Sequence, residues 1–271
     1  MAALFGTLGD RSRLKTRQRL PDEFANDVRL VHDKVLGTYH LTVPMSPAAA
    51  GSDSQAPVAA AADVDMPEAG RVKMLSIDPG VRTFATCYDP DGLVAKWGCS
   101  PTNARLWRLA NTMNGIHARM ARQDTSHRTR RRMRRAAERI AKRIRDTVDE
   151  LHHKLARWAC SNYDVVLLPK FEVRGMVKKG KRKITRKCVS RMYTLAHYRF
   201  RQFMTHKAKQ LGKSLFPVSE AYTTKTCGAC GVMHEVGGSE TFCCPVCGMT
   251  ADRDVNAARN ILIKFLHDDA S

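Results

Sequence analysis

Four cysteines near the C-terminus constrain the fold of this chain more than any other feature. The pairs are separated by thirteen residues, and each has the spacing Cys-x2-Cys: Cys227, Cys230, Cys244 and Cys247. Each pair offers two sulfurs to one ion, so this pattern is typical of a tetrahedral zinc site with four thiolates. Such a zinc ion has no open coordination position. The pattern therefore predicts a structural zinc ribbon over residues 227–249.

Residues beside the cysteines support this assignment. Gly228, Gly231 and Gly248 adjoin the knuckles and allow the backbone to curl around the ion. Cys243 is the spare cysteine of the cluster, because only Cys244 has the two-residue spacing to Cys247.

Carboxylates suited to a different metal follow the cysteines directly. Asp252 and Asp254 lie in the run Asp-Arg-Asp-x-Asn-Ala-Ala, where a helix is predicted to begin. Asp78 is a further candidate, because it ends a predicted strand and precedes Pro79. Two Mg2+ or Mn2+ ions held by three or four carboxylates would cut a phosphodiester by in-line attack. A single aspartate in such a place is more often structural, and only the combination favours a metal site.

The charge of the chain indicates its class of partner. The net charge is +20, and a polyphosphate partner would neutralise the resulting self-repulsion. Nucleic acid is therefore the expected partner, with an acidic membrane surface as the alternative. No apolar run reaches the roughly 18 residues needed to cross a bilayer, and we expect no membrane partner. Nine cysteines without a secretory signal indicate a reducing, intracellular compartment.

Two segments concentrate the positive charge. Residues 119–145 hold twelve Arg or Lys against two acids, opposite the apolar face of a predicted long helix, which favours phosphate contacts over an ordinary solvated face. Residues 170–191 hold ten basic residues, which suits a loop that contacts nucleic acid or a nuclear import signal. The candidate phosphate contacts are Arg128, Arg130, Arg131, Arg132, Arg134, Arg135, Lys178, Lys179, Lys181, Arg182 and Lys183.

Aromatic residues near these segments offer flat surfaces for bases. Stacking on a nucleobase requires an exposed ring. The helical or strand settings of the candidates favour core packing for each: Trp107, Tyr193, Tyr198 and Tyr222.

The hydrophobic pattern predicts an N-terminal part, a linker and one larger domain. Val28–Pro44 indicates a short β-hairpin at the end of residues 1–43. Residues 44–70 are rich in Ala and Pro and contain no Lys or Arg, which is typical of a disordered linker.

The larger domain begins near residue 71. A three-stranded meander is followed by helices that alternate with strands, which predicts an α/β fold with a mixed sheet flanked by helices. The predicted elements after the meander of Val72–Gly98 are a long helix with apolar positions from Met133 to Trp158, a strand at Tyr163–Pro169, a helix at Met192–Leu211, a strand at Lys213–Glu220 and a C-terminal helix.

Together these motifs resemble the RuvC-like nuclease of transposon-encoded TnpB proteins, and most closely their eukaryotic and viral relatives, the Fanzor proteins. The resemblance covers about Arg71 to Leu266. It rests on Ser-Ile-Asp-Pro-Gly, Tyr-Asp-Val-Val-Leu-Leu-Pro, Glu-Ala-Tyr-Thr-Thr-Lys-Thr-Cys and Asp-Arg-Asp-Val-Asn-Ala-Ala, in that order. It implies an RNase H-like (RuvC) fold formed by residues 71–226 and 250–271, with the zinc ribbon inserted before its last catalytic segment.

The resemblance also implies a function. Members of the family cut DNA with Mg2+ under the direction of a guide RNA, and their eukaryotic and viral context implies a nuclear location. Asp78 matches the first catalytic aspartate. Asp254 matches the last, because it directly precedes x-Asn-Ala-Ala, which leaves Asp252 as a flanking carboxylate or a helix cap.

The position of the catalytic glutamate is less direct. In TnpB proteins it follows the buried strand, where this chain has Pro169. Glu172, three residues further on, and Glu220, at the end of the next strand, are the two candidates. Fanzor-like members resemble this chain in having a proline at the first position and a glutamate at the second, which favours Glu220.

Three interpretations of function remain open. The chain is expected to be a RuvC-like DNA endonuclease, a non-cleaving nucleic-acid-binding module with a zinc ribbon, or an inactive transposon remnant. Asp78, Glu220 and Asp254 together favour the first. The family implies a larger N-terminal part that recognises guide RNA, whereas about forty residues precede the linker here. That difference favours the last.

Overall fold

The computed structural model describes residues 27–33, 37–44, 72–171 and 184–268, together with positions 20 and 24. The chain divides into two compact units, Met1–Ala61 and Ala62–Ser271. The first contains the predicted hairpin, in which β1 (Arg29–Asp33) pairs antiparallel with β2 (Thr38–Thr42). The predicted linker lies outside the described residues after its first position, Pro44.

A five-stranded mixed sheet forms the centre of the second unit. The spatial order is β5-β4-β3-β6-β7; β3, β4 and β5 are antiparallel neighbours, whereas β3, β6 and β7 run parallel. The predicted meander and mixed sheet are therefore confirmed. The bounds are β3 (Met74–Pro79), β4 (Ala85–Tyr88), β5 (Val94–Trp97), β6 (Val165–Pro169) and β7 (Ser214–Val218).

Burial explains the strand order. Leu75 and Ile77 of β3 are fully buried, as are Val166 and Leu167 of β6. A strand without an exposed face suits the interior of a sheet that is covered on both sides. The continuous apolar runs of β3 and β6 therefore place them at the centre, and the more exposed β5 and β7 form the edges.

Five helices surround the sheet in the described part of this unit. The second carries the predicted apolar stripe, in which Val148 and Leu155 are fully buried. It begins at an N-cap, since the Ser126 hydroxyl accepts a hydrogen bond from Thr129 N at 3.3 Å. The bounds are α1 (Thr102–Met120), α2 (His127–Asn162), α3 (Arg186–Leu195), α4 (His197–Gln210) and α5 (Arg253–Asp268). No described helix is both long and apolar enough to span a bilayer.

The single helix predicted over Met192–Leu211 is wrong, because the chain breaks there into α3 and α4. Ala196 lies between them in the left-handed conformation, with φ 49° and ψ 51°. Its backbone N–H donates to Met192 O at 3.2 Å, which closes α3. No glycine or proline occurs at the break, and the helical spacing of apolar residues continues across it. The sequence therefore predicts one helix where the structure has two.

A layer of rings fills the core between the sheet and the helices. Phe84 stacks on His152 and His197, with ring centroids 4.9 and 5.0 Å away, and meets Phe200 edge-on at 5.1 Å. Burial lowers the pKa of His152 to about 3 and that of His197 to about 4. Both imidazoles are therefore neutral near pH 7.

These histidines predict a loss of stability in acid. The unfolded chain binds protons on them below about pH 6.5, whereas the folded protein binds them only near pH 3–4, so acid favours unfolding. When the pH falls from 7 to 4.5, we expect the free energy of unfolding of His197→Phe to increase by about 2 kcal/mol relative to that of wild type. Urea midpoints at both pH values measure this difference. The exposed His206, replaced by Gln, is the control, and an equal response of both variants would contradict the prediction.

Candidate metal centres

The four predicted zinc ligands are gathered in one cluster. Their sulfurs all lie within 4.8 Å of one another. Cys227 Sγ is 3.6 Å from Cys247 Sγ, and Cys230 Sγ is 3.6 Å from Cys244 Sγ. Zn–S bonds of about 2.3 Å place tetrahedral sulfurs about 3.8 Å apart. The cysteines therefore fit one zinc ion with four thiolate ligands.

Matching backbone turns form the two knuckles. Gly231 N donates to Cys227 O at 2.9 Å, and Gly248 N donates to Cys244 O at 3.1 Å. Both glycines have positive φ, 74° and 72°, a conformation that other residues adopt only with strain. The backbone amide of Cys247 acts most strongly on the Cys244 thiol and lowers its pKa to about 6. A low pKa favours the thiolate that zinc requires. Although the Met249 amide works to lower the pKa of Cys247, hydrogen bonds among the four cysteines outweigh it and raise that pKa to about 12.

The ribbon has its own small core. Strands β8 (Thr241–Cys243) and β9 (Thr250–Asp252) pair antiparallel. Phe242 is fully buried against Cys227 and Cys244. Cys243 points away from this core and is exposed, so the structure agrees with its exclusion from the ligands.

The three predicted catalytic carboxylates line one cleft, with a volume of about 600 Å3. Asp78 lies at the end of β3, and Glu220 follows β7 by two residues. Because β3 and β7 run parallel in the sheet, their C-terminal ends meet at one edge. Asp254 reaches the same edge from the first turn of α5. Among the described residues only the cysteines are gathered as closely as a bound ion requires; the carboxylates share the cleft at a wider spacing.

The charges of these acids act on one another. Burial raises the pKa of Asp78 to about 8, and the negative charges of Asp254 and Glu220 add to this effect. Burial also raises the pKa of Glu220. Arg253 opposes the shift but is only a distant partner of Asp254, with 3.8 Å between Nε and Oδ1. Oxygen donors with excess negative charge are the ligand type that divalent cations such as Mg2+ prefer, so the chemistry of this group suits such an ion although its spacing here is wider than a bound ion requires.

Asp252, in contrast, is a structural residue. Its Oδ1 accepts hydrogen bonds from Asp254 N at 3.0 Å and Val255 N at 3.1 Å, which caps α5. Its Oδ2 pairs with Lys96 Nζ at 2.6 Å. Although burial works to raise its pKa, these hydrogen bonds outweigh burial and lower it. The predicted helix cap is therefore confirmed.

Two buried asparagines on α5, which we call the asparagine clamp, join the ribbon to the cleft. Asn256 accepts from Gly228 N at 3.0 Å and donates to Thr226 O at 2.9 Å. Asn260 donates to Thr223 O at 2.8 Å and to Thr226 O at 2.7 Å. The clamp therefore fixes the turn between Glu220 and Cys227 to the helix that carries Asp254.

Sequence reasoning missed the role of the clamp. The available signal was the spacing of the two asparagines, since positions four apart lie on one face of a helix. The same helix is tied to the sheet by Ser76, whose buried hydroxyl lies 2.8 Å from Ala258 O. Lys187 and Arg191 of α3, which also line the cleft, were not singled out by sequence as site residues.

The clamp predicts a strict requirement for glycine at position 228. A Cβ there would lie 2.9 Å from Asn256 Oδ1 and 3.1 Å from Asn260 Oδ1. We expect Gly228→Ala to destabilise the zinc-loaded protein by about 2 kcal/mol, because the clamp must shift. Gly238, which has open space around its Cα, provides the control Gly238→Ala. Equal urea midpoints for the two variants would contradict the clamp.

The basic residues predicted to contact phosphates divide into two groups. On α2, Arg128, Arg131, Arg132, Arg134 and Arg135 are exposed, whereas Arg130 is half-buried and donates to Arg122 O at 3.1 Å. The other group lies outside the described residues: Lys178, Lys179, Lys181, Arg182 and Lys183. Glu172, the alternative metal ligand, also lies outside them.

The aromatic candidates differ from expectation. Trp107 packs against the core, as predicted, and Arg191 lies 4.8 Å over its ring. The prediction of core packing is wrong for Tyr193, Tyr198 and Tyr222, which are 63%, 70% and 65% exposed. Their neighbours in the helices and the turn point inward, and these three rings project into solvent.

Comparisons with known proteins agree with this architecture. A model of the probable transposase family matches residues 57–180, and the Cas12f1-like TNB domain matches residues 197–261. A putative transposase of Paramecium bursaria Chlorella virus 1 is 33% identical over 199 residues, covering 73% of this chain and 44% of the relative. A TnpB-like protein of Acanthamoeba polyphaga mimivirus is 28% identical over 194 residues, covering 69% and 36%. The chain thus spans less than half the length of these relatives.

The fold is shared with solved structures. The chain matches a Cas12f1 protein, solved by cryo-electron microscopy with sgRNA and target DNA, with a TM-score of 0.51 and 18% identity. That match covers 73% of this chain and 51% of the other. The motifs, the mixed sheet, the cysteine cluster and these relatives agree, and together they support a TnpB-type protein with a RuvC-like domain.

Proposed function

We propose that this chain is the catalytic part of a divalent-metal-dependent DNA endonuclease, RNA-guided in the manner of TnpB proteins and closest to the Fanzor type. One observation carries the proposal: Asp78, Glu220 and Asp254 come from three distant segments and line one cleft. The relatives support the substrate class. A Cas12f1 of Sulfoacidibacillus thermotolerans, 35% identical over 69 residues, is named a CRISPR-associated endodeoxyribonuclease, and the Cas12f1 structure holds sgRNA and target DNA.

The protein's own residues have distinct roles in this proposal. Asp78, at the end of the central strand, would contact both ions, while Glu220 and Asp254 would each hold one. Two ions, when bound, supply an activated water and a stabilised leaving oxygen. Lys187 and Arg191 on the cleft wall and the exposed arginines of α2 would hold phosphates. Arg253 limits the repulsion among the acids before metal binds.

A cleavage assay tests the proposal. Purified protein with its co-purified RNA is incubated with Mg2+ or Mn2+ and single- or double-stranded DNA. We expect cutting by wild type and by Glu150→Gln, an exposed glutamate on α2, and none by Glu220→Gln. Retained cutting by Glu220→Gln with loss in Glu172→Gln would move the third ligand to Glu172. Sequencing the co-purified RNA tests guidance.

A second candidate is a binding module that holds nucleic acid without cutting it. The wider spacing of the carboxylates and the exposed arginines of α2 favour it. It predicts DNA binding without cleavage, unchanged by Asp78→Ala. An inactive remnant would show neither activity.

We also propose a nuclear location in a eukaryotic host cell. The basic run over residues 178–183 supports it. A fluorescent fusion of the full chain should be nuclear, and the same fusion with these lysines and arginines changed to Gln should not. Equal distribution of the two fusions would contradict this assignment.

A further inference from the structure

Tyr222 occupies a strained backbone conformation. Its φ is 67°, and Ala196 is the one other non-glycine with positive φ among the described residues. This left-handed region costs a residue with a side chain on the order of 1 kcal/mol. At Ala196 the conformation ends α3, and the side chain is small. No such explanation applies to a tyrosine.

Hydrogen bonds force the turn into this shape. Tyr222 O accepts from Lys225 N and Thr226 N, both at 3.0 Å, and from Thr226 Oγ1 at 2.9 Å. The asparagine clamp holds the next turns through Thr223 O and Thr226 O. All of these bonds use backbone carbonyls of the turn, and none uses the side chain of Tyr222. The fold therefore requires the turn and would accept a glycine there.

Packing does not explain the tyrosine either. Its side chain remains 65% exposed, so it gains little from burial that would offset the strain. A strained residue that the fold does not need is a candidate for function.

The turn that contains Tyr222 borders the carboxylate cleft, although the cleft lining does not include Tyr222 itself. Glu220 lies two residues before it, and Thr223 and Thr224 follow it, and all three line the cleft. Lys187 and Arg191 line the same cleft and supply positive charge for a phosphate backbone. An exposed aromatic ring beside such charge is the arrangement with which proteins hold unpaired bases.

We propose that Tyr222 stacks on an unpaired base of the DNA strand that enters the cleft. This inference rests on the proposed function. In a duplex both faces of each base are covered by neighbouring bases, so the ring gains a partner only from an unpaired strand. Stacking of this kind contributes about 1–3 kcal/mol per base.

The test compares Tyr222→Gly with wild type in full-length, zinc-loaded protein, without Mg2+. Affinity is measured by fluorescence anisotropy for a 20-nucleotide single strand and for the same sequence as a duplex. We expect about a tenfold loss for the single strand and no change for the duplex. The melting temperature should stay equal or rise, because glycine relieves the strain. Tyr222→Asn should behave like Tyr222→Gly, and Tyr222→Phe like wild type.

Controls separate the possible outcomes. Tyr193→Ala removes an equally exposed tyrosine from α3 and should leave both affinities unchanged. Unchanged single-strand affinity in Tyr222→Gly, or a lower melting temperature with equal losses for both DNAs, would overturn the inference. Because binding is measured without cutting, a cleavage assay on the same preparations shows independently whether the proposed function fails.

Discussion

Asp78→Asn is expected to stabilise the Mg2+-free protein at pH 8 and to reduce DNA cleavage by about a thousandfold, or about 4 kcal/mol in the barrier. Both effects have one cause. Burial and the charges of Asp254 and Glu220 raise the pKa of Asp78 to about 8. The charged form of Asp78 is costly without a metal, and the same charge is the one that would bind metal.

The direction of this stability difference follows from proton binding by the folded and unfolded forms. Below about pH 4 the folded and the unfolded forms both hold the proton, so wild type and variant differ little. Between pH 4 and pH 8 the unfolded chain has released the proton while the folded protein retains it, so wild type loses stability as pH rises. Asparagine cannot titrate. Because Asp78 lines the cleft and is only half-buried, we expect an advantage on the order of 2 kcal/mol for the variant at pH 8.

The matched control is Asp252, the aspartate two positions before Asp254. Asp252 caps α5 and pairs with Lys96, and its pKa is lowered. Asp252→Asn should therefore destabilise the protein at pH 8 by about 1 kcal/mol, opposite in sign to Asp78→Asn. Urea midpoints at pH 5 and pH 8, with Mg2+ absent, measure both. Destabilisation by Asp78→Asn at pH 8 would show that its carboxylate supports the fold instead of a metal.

Loss of zinc is expected to unfold the ribbon and to loosen the turn that borders the carboxylate cleft. Structural zinc binds zinc-finger peptides with an apparent free energy of about 10–16 kcal/mol. The apolar core of this ribbon is small, so we expect zinc binding to provide most of its stability. Cys244→Ser should therefore unfold residues 227–249. The asparagine clamp then loses Gly228 N and Thr226 O as partners, and only the bond from Asn260 to Thr223 O still ties the turn after Glu220 to α5.

Hydrogen exchange measures the extent of this unfolding. In Cys244→Ser, amides from Thr223 to Gly231 should exchange at least a hundredfold faster, about 3 kcal/mol of lost protection. Amides of β3 and β6 should remain protected. Cys243→Ser changes the neighbouring, exposed cysteine and should keep one zinc per chain and wild-type exchange. Loss of zinc in Cys243→Ser, with retention in Cys244→Ser, would contradict the ligand assignment.

Local patterns predicted most of the fold. The cysteine spacing identified the ribbon because each knuckle is a short turn, and strand ends located Asp78 because the chain turns where a buried strand stops. The apolar runs of β3 and β6 indicated central strands. These features depend on neighbours in sequence, and hydrophobic period and spacing report such neighbours directly.

The sequence did not predict the features that depend on tertiary contacts. The break at Ala196 is one backbone conformation without a glycine or proline signal. The exposure of Tyr222 depends on a turn held by Asn260, 38 positions away in sequence. Sequence pattern alone could not separate Glu220 from Glu172. The structure places Glu220 in the cleft, while Glu172 lies outside the described residues.

Binding of Mn2+ to the carboxylate cleft tests the central claim most directly. Zinc-loaded wild type and Asp78→Asn are titrated with Mn2+, and free Mn2+ is followed by its electron paramagnetic resonance signal. We expect wild type to bind Mn2+ and Asp78→Asn to bind at least tenfold more weakly, a difference of about 1.4 kcal/mol or more. Equal binding by the two proteins would show that Asp78, Glu220 and Asp254 share a cleft without forming a metal site.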